Sequence, residues 1–194
     1  MKLNYPSSAL IIVDVQNDFC PGGALGVDKG DQVVEPLNRL ASIFAGKSGK
    51  VAATQDWHPT DHSSFEIWPS HCVQGSRGAE FHEGLDMRPV NLIVRKGFRK
   101  ELDSYSAFFE NDRKTATGLD GFLRSLSIDT LVLGGLATDY CVLYSALDAA
   151  ALVYKTIVAV DAVRGLDSPA GSIERAFKLL VDAGAIIADS GELQ

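Results

Sequence analysis

"DTLVLGG" (residues 129–135) runs directly into "LATDYCVLYSA" (136–146). The first piece is short, β-branched and apolar on both faces, the pattern of a strand buried between two layers of a parallel sheet. The second has helical spacing, continued over residues 139–153, so Cys141 falls where strand gives way to helix. Two glycines allow a close backbone approach there, and Thr138 reads as the N-cap. The same kind of run recurs as ALIIV (9–13), KVAAT (50–54), NLIVR (91–95), KTIVAV (155–160) and AIIA (185–188). Between the runs lie helix-like stretches at 31–45 and 169–183. In the former, Val34, Leu37, Leu40, Ala41 and Phe44 form one stripe, and Pro36 sits in the first turns, where proline is tolerated. This alternation predicts a three-layer α/β/α open parallel sheet, in one domain over 1–194.

The chain has 194 residues, 46% of them hydrophobic, which suffices for a real core. Its net charge of −7 argues against nucleic acid or an anionic membrane as partner. The N-terminal apolar run ends at Asp14, too short for a signal segment or a membrane span. Cys20, Cys72 and Cys141 cannot all pair within one chain, and no CxxC occurs. Reduced thiols and a cytoplasmic setting are the expectation.

A reactive side chain follows each of four runs: Asp14, Asp56, Lys96 and Cys141. Ligands of open parallel sheets bind at the carboxyl ends of the strands, so these four are expected to converge. Taken singly, each has a plain reading. An Asp after a strand is commonly a turn residue, a Lys is commonly solvated, and a Cys is commonly a small buried hydrophobe. Taken together, they make a nucleophile, a base and an electrostatic partner. A helix N-terminus and the Lys96 ammonium would both favour a Cys141 thiolate. Asp14 could accept the thiol proton.

The loop "QDWHPTDHSSFEIWPSHC" (55–72) places Asp56, His58 and His71 at Asp-x-His…His spacing. Such a set suits zinc, iron or manganese with open positions left over, although a polar loop with hydrogen-bonding histidines has the same composition. His62 is either a fourth ligand or a residue that holds the loop, with the structural role favoured. Glu66 could also reach a metal. His82 stands apart. Phe19, Trp68 and Tyr105 could flank a flat aromatic ligand or simply pack.

In order along the chain, "LIIVDVQNDFCPGGALGV", "TQDWHPTDHSSF", "WPSHCVQGSRGAEFH", "RKGF" and "GGLATDYCV" resemble the nicotinamidase/pyrazinamidase family of isochorismatase-like cysteine hydrolases. The resemblance implies a flavodoxin-like fold and hydrolysis of nicotinamide to nicotinate and ammonia, with activity on pyrazinamide and a place in NAD salvage. It implies Asp14, Lys96 and Cys141 as catalytic residues, and Asp56, His58 and His71 as ligands of one divalent metal, zinc ahead of iron or manganese. Phe19, Trp68 and Tyr105 would contact the ring. Ala137 and Cys141 would supply oxyanion-hole amides, with Ala137 also touching substrate and a cis peptide joining Leu136 to Ala137. A homo-oligomer is expected by the same analogy. Two other readings stand beside it: a superfamily C–N hydrolase of carbamoyl or ureido compounds, and a non-enzymatic thiol or metal sensor.

Overall fold

Side chains alternate between the two faces of a strand, so the first apolar run divides between two cores. In the computed structural model, which describes residues 1–193, Leu10 and Ile12 of β1 (Ser8–Val13) join one core, and Ala9, Ile11 and Val13 join the other. All five are fully buried. Helix α1 (Val34–Gly46) covers the first face with Leu37, Leu40, Ala41 and Phe44. Helices α2 (Leu119–Ser125), α3 (Leu143–Ala151) and α4 (Ser172–Asp182) cover the second with Leu123, Ala146 and Leu180. Burying each large aliphatic side chain contributes about 1.5–3 kcal/mol, and this two-sided burial explains why the runs are apolar throughout.

The remaining strands are β2 (Lys50–Asp56), β3 (Leu92–Lys96), β4 (Thr130–Leu136), β5 (Lys155–Arg164) and β6 (Ile186–Ala188). All six strands pair in parallel, in the order β3-β2-β1-β4-β5-β6. This is the expected three-layer α/β/α parallel sheet. The chain winds outward through β2 and β3, then returns to place β4 on the other side of β1. A crevice opens at such a reversal, at the carboxyl ends of the strands.

Several local expectations are corrected. NLIVR and AIIA are not buried on both faces, because β3 and β6 are the sheet edges: Ile93 is 48% exposed and Ile186 38%. The Arg95 guanidinium lies 3.8 Å from the Trp57 ring centroid. The helix expected from residue 31 starts with a 3-10 turn over Gly30–Val33. Strand β5 continues past Asp161, which ends its apolar run, and its pairing with β4 is irregular between Leu133 and Gly135. The short α2 was not foreseen. Thr138 is not an N-cap: Ala137 holds that position, and its carbonyl accepts from the N–H groups of both Tyr140 and Val142. The wide turn over Thr138–Val142 is a π-helix, from which α3 continues. Among the described residues no helix is long and apolar enough to cross a membrane.

Gly135 carries the tightest part of this frame. Its φ is +130°, and a Cβ there would lie 2.0 Å from the Val13 carbonyl oxygen of β1. Gly135→Ala is expected to cost about 1–3 kcal/mol from backbone conformation alone, with further loss from forcing β1 and β4 apart. Urea unfolding of the variant measures this, and an unchanged midpoint would contradict the close approach.

Candidate active site

Lys96 ends β3 fully buried, and a buried ammonium needs anionic partners and hydrogen bonds. Its Nζ lies 2.9 Å from Asp14 Oδ2, donates to Asp56 Oδ1, and reaches the Ser104 carbonyl at 2.8 Å. Cys141 Sγ is 3.6 Å away. Asp14 directly follows β1 with φ +48°, Asp56 ends β2, and Cys141 lies in the turn after β4. The four predicted strand-end residues therefore meet at one point.

Burial works against the Lys96 charge, but Asp14, Asp56 and Cys141 outweigh it and hold the ammonium well above its ordinary pKa. Burial raises Asp14, and Lys96 opposes that rise. Cys141 is pushed well above an ordinary thiol, by burial first and by Asp14 and Asp56 next, against the pull of Lys96. The pull of Lys96 toward a thiolate is present, but burial and the carboxylates outweigh it. Two adjacent carboxylates and a dry site keep the proton on sulfur. Asp14 and Asp56 accompany Cys141 in a cluster whose ligand-type atoms all lie within 4.8 Å of one another, so a carboxylate able to take up that proton stands beside it.

The carboxylates are braced from below. Thr54 Oγ1 donates to Asp14 Oδ1 at 2.6 Å and accepts from the Asp14 N–H at 3.1 Å. Gln16 donates to the Asp56 carbonyl at 2.8 Å and accepts from the Asp56 N–H at 2.8 Å.

Asp56, His58 and His71 each offer one ligand atom within 4.8 Å of the others. His58 Nδ1 pairs with the Gly97 carbonyl at 2.8 Å, and His71 Nδ1 with the Pro69 carbonyl at 2.7 Å. A carbonyl only accepts, so both Nδ1 atoms carry the proton and both Nε2 atoms present a lone pair. Metal-binding histidines are held this way. His58 Nε2 is buried without a hydrogen-bond partner, 3.7 Å from Asp56 Oδ2. Burial brings the His58 pKa down to about 4, so its ring is neutral, the form that ligates. This donor set fits a divalent cation. Gly97 makes room for the His58 ring: its φ is +60°, and a Cβ would sit 2.5 Å from His58 Cε1.

His62 takes another part. Its ring stacks on His58 at 4.1 Å, Nδ1 lies 2.7 Å from Ser64 Oγ, and Nε2 faces the Leu102 carbonyl at 3.4 Å. A second possible group, His58, His62 and Asp103, would compete for the same His58. The first group is the better set, because the His62 nitrogens have local partners while His58 Nε2 has none. Glu66 is exposed on an outer groove with Asp61 and Lys100, and it does not join the buried group. His82 accepts from the Gly84 N–H, away from the site.

Above these groups opens a narrow, mostly apolar cleft. Cys141, Ala137, Asp56 and His71 line it, together with the predicted aromatics Phe19, Trp68 and Tyr105. Trp68 Nε1 donates to Tyr105 Oη at 3.1 Å, and Phe19 leans on His71 at 5.5 Å between centroids. The peptide between Leu136 and Ala137 is cis. Ala137 and Cys141 lie in the first turn after β4, where backbone N–H groups lack helical partners.

The isochorismatase-domain family model matches residues 8–192. The chain belongs to the isochorismatase-domain family. A nicotinamidase of Acinetobacter baylyi is 42% identical, covering 91% of this chain and 89% of its own. Among solved structures, PnC1 from L. infantum in complex with nicotinate has a TM-score of 0.93 at 35% identity, covering 100% of this chain and 98% of its own. A pyrazinamidase of Pyrococcus horikoshii in complex with zinc has a TM-score of 0.87 at 36% identity, covering 95% and 99%.

Sequence reasoning missed several residues that this isochorismatase-domain chain brings to the cleft: Tyr140, Asp103, Leu25 and Leu166. Tyr140 stands edge-on to Trp68 at 5.1 Å and packs on Tyr105 at 5.7 Å. Its place beside Cys141 was a usable signal, as was that of Gln16 beside Asp14. Leu166 had none, since it lies far along the chain in a segment without a motif.

Proposed function

We propose that this chain hydrolyses nicotinamide to nicotinate and ammonia through a thioester on Cys141, and that it accepts pyrazinamide as well. The observation that carries the reading is the meeting of Asp14, Lys96 and Cys141 beneath an aromatic cleft whose side is the Asp56–His58–His71 group.

The ring lies between Phe19, Trp68 and Tyr105, with its carboxamide carbon at Cys141. Asp14 takes the thiol proton as Sγ attacks and the C–S bond forms. The carbonyl oxygen becomes anionic against the N–H groups of Ala137 and Cys141. Asp14 hands its proton to the amide nitrogen, the C–N bond breaks and ammonia leaves. A water then loses its proton to Asp14 and attacks the thioester. The C–S bond breaks and the sulfur regains the proton from Asp14, while the acid released gives its own proton to ammonia or solvent and departs as nicotinate. A raised Asp14 pKa suits this shuttle. Lys96 stays cationic throughout and stabilises the sulfur anion as it forms. A divalent cation on Asp56, His58 and His71, with zinc preferred over iron or manganese, would supply a Lewis acid toward the ring nitrogen.

The carbamoyl or ureido alternative leaves the aromatic cleft and the buried histidines unexplained, and the sensor alternative leaves Asp14 and Lys96 without a task. The reaction is assigned to NAD salvage. A reducing, cytoplasmic compartment is proposed on three unpaired cysteines.

Ammonia release from nicotinamide by the metal-replete protein tests the activity, and its absence would return the carbamoyl reading to first place. Chelation is expected to raise KM for nicotinamide by about tenfold or more while iodoacetamide still alkylates Cys141 at its former rate. An unchanged KM in protein shown to be metal-free would remove the proposed metal role.

A further inference from the structure

Residues 165–171 link β5 to α4 without a strand or helix, and residues 167–170 are exposed. Leu166 nonetheless lines the cleft. What ties this segment down is a side chain two residues before the nucleophile. Asp139 is only 6% exposed. Its Oδ1 accepts from the Leu166 N–H at 3.0 Å, and its Oδ2 accepts from the Asp167 N–H at 3.0 Å and from Ser172 Oγ. A carboxylate satisfied by several donors makes strong, charge-assisted hydrogen bonds. The next residue adds another tie, since Tyr140 Oη donates to the Ser168 carbonyl at 2.6 Å. Gly165 is what lets the backbone come so near: a Cβ there would lie 2.8 Å from Asp139 Oδ1 and 2.6 Å from Ile173 Cγ1.

We propose that Asp139 is a positioning residue, whose carboxylate straps residues 165–172 onto the turn bearing Cys141 and thereby holds Leu166 against the ring of a bound aromatic amide. The part concerning the amide rests on the proposed nicotinamide hydrolysis; the strap itself does not. Asp139 touches neither Cys141 chemistry nor the metal group, so its effect is on the cleft wall. The loss of this strap weakens substrate binding more than it weakens the chemical step.

Asp139→Asn keeps the shape and turns one acceptor oxygen into a donor that faces the Asp167 N–H and Ser172 hydroxyl. The expected result is a rise of about tenfold in KM for nicotinamide with a fall of less than about threefold in kcat per active site. Alkylation of Cys141 by iodoacetamide, a reagent that needs no cleft wall, should keep its rate. Hydrogen exchange of the amides in residues 165–172 should quicken by about tenfold while β1 and β4 keep their protection. Gly165→Ala should move the same readouts in the same direction without altering the carboxylate, and it serves if Asp139→Asn does not fold. An unchanged KM, or faster exchange throughout the sheet, would overturn the proposal, because a merely structural carboxylate would loosen the whole fold. If the unmodified protein releases no ammonia from nicotinamide, the proposed function falls, and the exchange measurement alone decides the strap.

Discussion

Cys141→Ala is expected to lower kcat for nicotinamide hydrolysis by at least about 10⁴-fold. The scheme has no second nucleophile: among the residues lining the cleft there is no other thiol, and no serine or threonine. The fold should survive, because the change removes one sulfur at a site where Lys96 keeps Asp14, Asp56 and the Ser104 carbonyl as partners. A stability loss on the order of 1 kcal/mol covers the lost packing. Nicotinamide should still bind the variant, since Phe19, Trp68 and Tyr105 and the Asp56–His58–His71 group are untouched. Stopped turnover with retained binding, measured by calorimetry beside an ammonia assay, is the expected pair. Residual turnover above about one per cent of the parent rate would mean that sulfur is not the attacking atom.

Lys96→Met should be damaging in two ways at once. It leaves two buried carboxylates facing each other without their cation, and breaking a buried pair by removing one partner costs about 3–5 kcal/mol. It also removes the charge that steadies a forming thiolate, so kcat should fall by about 10²-fold or more even where the variant is folded. The pH dependence has a definite sign. Burial raises Asp14 in the folded protein, and without Lys96 it rises further. The folded state then binds more protons than the unfolded one between the two pKa values, so stability declines as pH increases through that window. His58, held down to about 4, contributes with the opposite sign in both proteins, so the readout is the difference between them: between mildly acidic and neutral pH the metal-free variant should lose more stability, or gain less, than the metal-free parent. Urea unfolding of both proteins at two pH values measures it, and an equal or opposite difference would show that Lys96 does not hold the Asp14 proton affinity down.

The alternation of short apolar runs with helical stripes was legible because continuous apolar runs and period-3.6 patterning are local properties. They identified six strands and the layer order before any contact was known. Asp14, Asp56, Lys96 and Cys141 were legible as a set because each ends or follows a run, and a parallel sheet brings such ends to one edge. Asp56, His58 and His71 were legible because they crowd one loop. Tertiary structure alone decided the rest. Whether Cys141 rests as thiol or thiolate depends on the distances of two carboxylates and one ammonium inside a dry pocket. His62, read first as a loop-holding residue, and Glu66 both stayed open as further ligands, and only the stacking of one on His58 and the exposure of the other decided their places. Thr138 lost its capping role to a π-turn whose bonds involve the carbonyl of Ala137. Asp139 and Leu166 meet across 27 positions of sequence. Patterning records which face of an element is buried. It carries no information on which distant backbone a buried carboxylate will hold, because that pairing exists only once the sheet has brought the two segments together.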